Sequence, residues 1–306
     1  MKDEIPLVDK SPKAKRKRSF DFPDDPPVTE WLYICPGRCF PLTKLKNYNR
    51  FFFREIEIEV GSLVILFVLG LIGFTYCVFF TSVLPQFHRN VSLFALIETT
   101  IITFLFLWSY LSASCMDPGY LPYYWYQTQN DWYPWEEQLS GLATTETQCV
   151  FVDMHERPNN AAFSRSAGRF VIRGDHICDW ICNWVGKRNH KQFFLLIIYG
   201  SLYCLSMIFW TLFVKSSKVS QLRYSLIVVS LVLEIVFAFA LIITFVSRFI
   251  MVLSNQTQIQ VYKNQIPEPK ESWIESLEEI CGPGTKLCWF IPTPAFGKEL
   301  PNPTRI

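Results

Sequence analysis

The uncharged stretch QFFLLIIYGSLYCLSMIFWTLFV, residues 192–214, decides the fold. A helix needs about 20 predominantly apolar residues to cross the hydrocarbon core of a bilayer. This stretch meets the requirement, and so do three others at 60–84, 91–116 and 224–247. The sequence therefore predicts an all-α polytopic membrane protein with four transmembrane helices. A compact irregular cytosolic domain is expected between the second and the third.

The composition of the chain agrees with that fold class. Half of the 306 residues are hydrophobic, and the mean hydropathy is +0.18. Residues 1–20 are charged and lack an apolar core, so no cleavable signal peptide is expected. Glu98 and Glu234 lie inside two of the apolar stretches. Carboxylates inside a membrane usually face the bundle interior, so we expect them to pair with neighbouring hydroxyl groups, with transport as the alternative.

The basic residues indicate the orientation in the membrane. They concentrate in the N-terminal tail, the 117–191 loop and the C-terminal tail, whereas the connectors near 85–90 and 215–223 hold few. Because Lys and Arg favour the cytosolic side, both termini and the long loop are expected in the cytosol. The basic run 13–18 is interpreted as a topology signal, with a nuclear signal or an anionic-lipid contact as alternatives. No nucleic-acid partner is expected at a net charge of +2.

These features divide the chain into five expected segments. They are a largely disordered, then interfacial N-terminal tail at 1–58, transmembrane helices 1 and 2 at 59–116, the cytosolic domain at 117–191, transmembrane helices 3 and 4 at 192–250, and a cytosolic C-terminal tail at 251–306. The last segment is predicted to contain a short interfacial amphipathic helix at 268–279, ended by Gly282.

A candidate nucleophile precedes the third apolar stretch. Asp175-His176-Ile177-Cys178 places a carboxylate, an imidazole and a thiol within four residues. A thiol beside a histidine ionises more easily, and the thiolate is the nucleophilic form. The position of this motif predicts chemistry at a bilayer surface.

Four features then occur in one order: four apolar stretches, Asp117-Pro118-Gly119 after the second, the Asp-His-x-Cys motif before the third, and an aromatic C-terminal tail. In this layout the chain resembles the DHHC-type protein S-acyltransferases, or palmitoyltransferases. Arg157-Pro158 matches the family's basic-proline pair, and 257–260 is a weakened form of its Thr-Thr-x-Glu motif. The match is tightest at 175–193, where the shared residues are Asp175, His176, Cys178, Trp180, Asn183, Val185, Gly186, Asn189 and Phe193.

The resemblance implies a reaction and a set of partners. Cys178 would accept a fatty acyl group from palmitoyl-CoA or a similar fatty acyl-CoA and pass it to a cysteine of a membrane-associated substrate protein. His176 would act as the base, and Asp175 would orient it. We expect the protein to reside in the Golgi or endoplasmic reticulum membrane. The basic residues expected to meet the CoA phosphates, with a positive-inside collar as the alternative, are Arg173, Lys187 and Arg188.

The chain departs from the family where the family binds two zinc ions. Zinc needs four nitrogen or sulfur ligands in a tetrahedron. The ligand positions hold Val150, Asp153, Phe163, Ser164, Ala167, Phe170, Ile177 and Trp184. We therefore expect no metal site, and an apolar cluster of Phe163, Phe170 and Trp184 in its place. The alternative is a zinc site rebuilt from Cys149, His155, Cys182 and His190.

Asp179 replaces a proline that the family carries beside the cysteine. A carboxylate at this position opposes formation of the Cys178 thiolate. The second hypothesis is therefore a catalytically weak relative that acts as a membrane scaffold or partner subunit, and the third is a small transporter. Cys182 is expected to be a packing residue, with a secondary acyl acceptor as the alternative.

Overall fold

The computed structural model describes residues 63–119, 171–215, 219–264, 270 and 272–296 together with their side chains. Apart from Ala162, only the backbone is described at 31–32, 40–41, 50–53, 56–62, 125–128, 131–134, 161–164 and 169–170.

Four helices form the membrane part of the fold. They are α1 (Val60–Val78), α2 (Arg89–Cys115), α3 (His190–Leu212) and α4 (Gln221–Leu253). A π-helical turn at Phe79–Val83 and a 3-10 turn at Leu84–Gln86 extend α1. All four segments are long and apolar enough to cross a membrane, so the predicted fold class is confirmed. The fourth helix extends at both ends beyond the predicted stretch.

The helix α3 lies at the centre of the bundle. It packs along both α2 and α4, while α1 also contacts α4. Gly200 permits this close packing, because a Cβ atom there would lie 3.0 Å from Phe106 and 3.1 Å from Leu241. Small residues allow helix backbones to approach one another within membranes.

The outward faces of the other three helices are apolar and exposed. Phe67 on α1, Phe104 on α2 and Phe239 on α4 are each more than half exposed. A soluble bundle would bury such faces, whereas lipid tails solvate them at no cost. The exposed surface therefore agrees with an integral membrane protein.

Every described strand belongs to a short antiparallel hairpin. The pairs are β1 (Trp31–Leu32) with β2 (Phe40–Pro41), β3 (Arg50–Phe53) with β4 (Ile56–Glu59), β5 (Trp125–Thr128) with β6 (Asp131–Pro134), β7 (Ala161–Ser164) with β8 (Arg169–Ile172), and β9 (His176–Cys178) with β10 (Asn183–Val185). Strands of two to four residues are too short to show a readable alternation. The sequence therefore indicated only an irregular domain where β5 to β10 lie.

The chain after α4 folds back onto the bundle. The short helix α5 (Gln258–Tyr262) starts at a capping box between Thr257 and Gln260. The helix α6 (Trp273–Cys281) covers most of the predicted 268–279 helix, and its Ile280 packs in a cluster with residues of α3 and α4. It ends at Gly282, whose φ of 84° favours glycine and whose Cβ would meet Ala295. A 3-10 turn follows at Lys286–Phe290. The interfacial position of α6 and the five segment boundaries stay predictions.

Candidate active site

The β9–β10 hairpin sorts its side chains onto two faces. Cys178 pairs with Asn183, Ile177 with Trp184 and His176 with Val185. Because successive side chains of a strand point to opposite faces, His176 and Cys178 share one face while Ile177 takes the other. The hairpin alone thus brings the imidazole and the thiol to the same side.

Two asparagines fix this hairpin to the end of α2. The side-chain amide of Asn183 donates to the carbonyl oxygens of Ala113, Ser114 and Met116, the last at 2.8 Å. The amide of Asn189 donates to Ala113 and Trp184, and its own carbonyl accepts from the N–H of Gly186 at 2.9 Å. The last carbonyls of a helix have no partner within the helix, so these amides complete the end of α2. The hairpin gains a rigid support at the surface of the bundle.

The carboxyl group of Asp175 makes three hydrogen bonds within the site. It is buried, and its Oδ2 lies 2.8 Å from Nδ1 of His176 and 3.1 Å from Nη1 of Arg248. Its Oδ1 accepts the backbone N–H of Gln258 at 2.7 Å. Burial alone would raise the pKa of Asp175, but the hydrogen bond with His176 and that from Gln258 hold it well below its usual range. Asp175 is therefore an ionised anchor.

This anchor orients His176. When Nδ1 donates its proton to Asp175, Nε2 is left as the acceptor. The edge-to-face contact with Phe193, at 5.0 Å between ring centroids, holds the ring from α3. The imidazole lies in the lining of the same cavity as the thiol of Cys178.

The thiol of Cys178 is buried beside a polar turn. Burial is the largest influence on the pKa of Cys178 and raises it, and the Asp179 carboxylate acts in the same direction. The backbone N–H groups of Ile181 and Trp180 and the charge of Arg248 lower it, but the net shift is upward. The thiol is therefore protonated at rest and needs a base when it reacts. The predicted opposition from Asp179 has the expected direction. Tyr110 of α2 supports the turn, because its hydroxyl donates to the carbonyl of Trp180 at 3.0 Å.

A central cavity of about 420 Å³ runs into the bundle from this site. His176, Cys178 and Arg248 line its hairpin end, and Glu234 lies in its lining deeper in the bundle. Arg248 and Glu234 both belong to α4 and are about 20 Å apart at a helical rise of 1.5 Å per residue. The walls between them are mainly apolar and include Val68, Leu71, Ile72, Phe106, Leu196, Ile197, Leu233, Phe237, Ala240 and Leu241. The central cavity thus has the shape and polarity for one extended hydrocarbon chain.

The three basic residues predicted to meet CoA have different surroundings. Arg173 and Lys187 are buried, and both contact Glu279 of α6, Lys187 by a direct hydrogen bond and Arg173 at 3.6 Å. Burial lowers the pKa of both groups, and Glu279 offsets part of that shift. Arg188 pairs with Asp117 at 3.6 Å, and its side chain is 21% exposed. The CoA contact stays a prediction, and the described contacts favour a structural role for Arg173 and Lys187.

The positions of the family's zinc ligands are apolar where they are described. Trp184 packs with Ala162 and Val171 in a cluster that Ile177 and Ile259 complete. Among the described side chains, no three His, Cys, Asp or Glu groups lie together in a metal-binding arrangement. Phe163 and Phe170 face each other in the β7–β8 register, but their side chains lie outside the described residues, as do Cys149 and His155. These surroundings do not fit a zinc ion at Ile177 or Trp184.

Two contributors to the site were missed from the sequence. Arg248 follows the predicted 224–247 stretch directly and looks like an ordinary basic residue at the end of a span. Glu279 looks like one of several acidic residues on an amphipathic helix. Their partners, Asp175 for the first and Lys187 for the second, are far away in the chain.

The central cavity with a thiol at one end and a histidine–aspartate pair beside it defines a class of protein, a membrane-embedded enzyme that handles long acyl chains. Comparison with known proteins agrees. The family model described as DHHC palmitoyltransferase matches residues 143–265, which include the hairpin, α3, α4 and Gln258. Residues 143–265 are thus a DHHC palmitoyltransferase domain by this match, in agreement with the resemblance that the sequence predicted.

Individual relatives extend the similarity over most of the chain. "Probable protein S-acyltransferase 13" of Arabidopsis thaliana is 27% identical over 284 residues, which are 83% of this chain and 92% of that protein. "Probable protein S-acyltransferase 14" of the same plant is 31% identical over 172 residues, 51% and 56% of the two chains. "Palmitoyltransferase ZDHHC3-A" of Danio rerio is 23% identical over 276 residues, 84% and 83% of the two chains. The matched family implies a fatty acyl-CoA donor and protein substrates, and the scaffold hypothesis is not favoured.

Proposed function

We propose that the protein is a membrane S-acyltransferase that carries the acyl group as a thioester of Cys178. The observation that carries this proposal is the placement of Cys178 and His176 together at one end of the apolar central cavity. An acyl chain extended in the central cavity would bring its thioester carbon to the hairpin end. Palmitoyl-CoA or a similar fatty acyl-CoA is the donor.

The first half-reaction forms the acyl-enzyme. Nε2 of His176 accepts the proton of Cys178, and the sulfur attacks the thioester carbon of acyl-CoA. The tetrahedral intermediate collapses, the bond to the CoA sulfur breaks, and the CoA thiolate takes the proton from His176. The ionised Asp175 stabilises the imidazolium that forms between these steps.

The second half-reaction is the same exchange with a protein thiol. The cysteine of the substrate protein gives its proton to His176 and attacks the acyl-enzyme, and Cys178 leaves as a thiolate that recovers the proton. One thioester replaces another, so no external energy source is needed. The position of Cys178 at the end of the helical bundle favours substrate cysteines that lie close to the membrane surface.

The setting in the cell follows from the distribution of charge. Both termini and the hairpin domain face the cytosol, where CoA esters are available and thiols stay reduced. The bilayer is that of the Golgi or the endoplasmic reticulum. For the CoA phosphates, Arg173, Lys187 and Arg188 remain the proposed contacts, with Arg188 the most exposed of the three.

The site also works without zinc. In the family, metal holds the domain between the second and third spans. Here the cluster around Trp184 replaces it, because buried aromatic and aliphatic side chains contribute about 1.5–3 kcal/mol each. The thiol exchange itself involves no metal-dependent step.

The deciding experiment measures thioester formation on the purified full chain with labelled palmitoyl-CoA. The variants are Cys178→Ser and, as a matched control in the same turn, Cys182→Ser. We expect hydroxylamine-labile label on wild type and on Cys182→Ser, and none on Cys178→Ser. A folded wild type that takes up no label, or undiminished label on Cys178→Ser, would contradict the proposal.

A further inference from the structure

Arg248 joins the end of α4 to the candidate active site. Its Nη1 donates to Oδ2 of Asp175 at 3.1 Å, and its Nη2 donates to Oε1 of Gln258 at 2.8 Å. The guanidinium is held on both sides, and its side chain is only 14% exposed. A forked group in this position is specific to arginine, since a lysine offers one point charge.

The second partner, Gln258, is itself placed by the start of α5. The capping box fixes that start, with the backbone N–H of Thr257 bonded to Oε1 of Gln260 at 2.8 Å. The N–H of Gln258 belongs to the first turn of α5, where amides lack a helical partner, and Asp175 accepts it. Arg248 and Asp175 therefore both hydrogen-bond to Gln258, Arg248 to its side chain and Asp175 to its backbone N–H.

Arg248 also supplies a charge at the end of the central cavity. Among the described residues that line the central cavity, it is the one Lys or Arg. Asp179 lies next to Cys178 and opposes the thiolate, whereas Arg248 favours it. The charges of Asp179 and Arg248 thus act on the Cys178 thiol in opposite directions.

We propose that Arg248 is a positioning residue for the acyl transfer described above, and the inference rests on that function. It locks Asp175 against His176, and its charge offsets that of Asp179 while Cys178 becomes a thiolate. The Asp179 carboxylate, which stands in the family's proline position, is tolerated because the charge of Arg248 has the opposite effect on Cys178.

Several ionisable groups face the cavity around Cys178 and bear on any pH profile. Those described in its lining are His176 and Asp179 of the hairpin, Tyr110 of α2, Tyr203 and Cys204 of α3, and Glu234 and Arg248 of α4. Asp175, Cys182 and His190 lie outside the lining but interact electrostatically with these groups. Of these, Arg248 alone carries a permanent positive charge.

The test compares Arg248→Gln and Arg248→Lys with wild type in lipid nanodiscs. Arg223→Gln is the matched control, because Arg223 is an exposed arginine at the other end of α4. Two readouts are taken from pH 6 to pH 10: the first-turnover rate of labelled acyl-enzyme formation, and the rate at which iodoacetamide alkylates Cys178, followed by peptide mass spectrometry.

We expect Arg248→Gln to slow acyl-enzyme formation at pH 7 about tenfold and to move both profiles to higher pH, since one pKa unit corresponds to a factor of ten in ionisation. Arg248→Lys keeps the charge and is expected to keep the alkylation profile while losing part of the rate. Arg223→Gln should match wild type in both readouts.

A second variant tests the inference in case Arg248→Gln folds poorly. Gln258→Ala removes the bond to Nη2 but keeps the charge, so it should slow acylation without moving the alkylation profile. Arg248→Gln with the profile and rate of wild type would overturn the inference, as would equal losses in Arg248→Gln and Arg248→Lys with unshifted profiles. A wild type that never acylates would refute the acyltransferase proposal alone, because the alkylation profiles still report on Arg248.

Discussion

Ile177 and Trp184 lie directly opposite each other across the β9–β10 hairpin, on the face that points away from the nucleophile. Both occupy positions at which the family carries zinc ligands. Trp184 is 4% exposed and packs on Val171 and Ala162, while Ile259 closes the cluster from the chain that follows α4. The contact joins the hairpin to the segment that carries Gln258. The family's ligand positions all lie between 150 and 184, so a metal would join the hairpin only to the chain before it, whereas this cluster also holds the C-terminal segment.

Removing the Trp184 side chain is therefore expected to destabilise the protein strongly. Trp184→Ala empties a buried site, and truncation of a buried aromatic costs about 3–5 kcal/mol. Trp273→Ala is the control, because Trp273 on α6 is 60% exposed. The measurement is the thermal midpoint in detergent, with and without a zinc chelator. A chelator-induced fall in the wild-type midpoint, or two zinc ions per chain by elemental analysis, would contradict the apolar-cluster proposal.

The lowered pKa of Asp175 makes the stability of the protein depend on pH in the acidic range. This pKa lies below the usual value of about 3.9, so the stabilising contribution is complete above that value and is lost as pH falls below it. We expect the stability of wild type to fall more steeply between about pH 4 and pH 2 than that of Asp175→Asn. The check is the midpoint of thermal unfolding at each pH. Parallel curves for the two proteins would show that Asp175 carries no such linkage.

The same variant tests the orienting role at neutral pH. Asp175→Asn keeps the shape but loses the charge that favours the His176 imidazolium, and comparable changes in other histidine sites cost several powers of ten. We expect a loss of acyl-enzyme formation of about a hundredfold or more with an intact elution profile. Unchanged first-turnover kinetics would exclude an orienting function.

The sequence predicted the parts of the fold that have local causes. An uncharged stretch long enough to cross a bilayer predicts a transmembrane helix by itself. The short spacing from Asp175 to Cys178 likewise predicts a thiol beside a base. Arg248 was missed because its partner Asp175 is 73 residues away, and only tertiary packing brings the two together. The buried state of Lys187 was missed for the same reason, since its partner Glu279 lies in a different helix.

Glu279 is expected to be the main support of α6 on the hairpin domain. It forms ion pairs with Lys187, Arg173 and Lys270. Burial alone would raise the pKa of Glu279, but these charges lower it below its usual value. Glu279→Gln would leave the buried Lys187 without its counter-charge and Arg173 with only that of Asp175, and breaking a buried pair in this way costs about 3–5 kcal/mol. Glu278→Gln, one residue earlier on α6, serves as the control. Thermal unfolding and hydrogen exchange of α6 should change only in Glu279→Gln, and equal effects in both variants would contradict this role.

The two carboxylates inside the spans are expected to differ in function. Oε2 of Glu98 accepts hydrogen bonds from Thr99, Ser206 and Trp210. It pairs with hydroxyl groups as predicted, and the bonds to Ser206 and Trp210 join α2 to α3. Glu98→Leu removes these bonds, and at roughly 0.6 kcal/mol each within membranes the loss is about 2 kcal/mol. The thermal midpoint should fall while the preference among acyl-CoA donors stays the same. A midpoint equal to that of wild type would contradict the structural role.

Glu234 instead contributes to the lining of the central cavity, with one carboxyl oxygen accepting from Ser230 at 2.8 Å. A hydrocarbon chain that reaches this depth must press its end against a polar wall, which disfavours long saturated chains. Glu234→Leu is therefore expected to raise the first-turnover rate with palmitoyl-CoA relative to myristoyl-CoA by about fivefold, or about 1 kcal/mol. Ser230→Ala, which leaves the carboxyl group in place, is the matched control and should not produce that gain. A ratio of rates that is the same in all three proteins would show that the acyl chain does not reach Glu234.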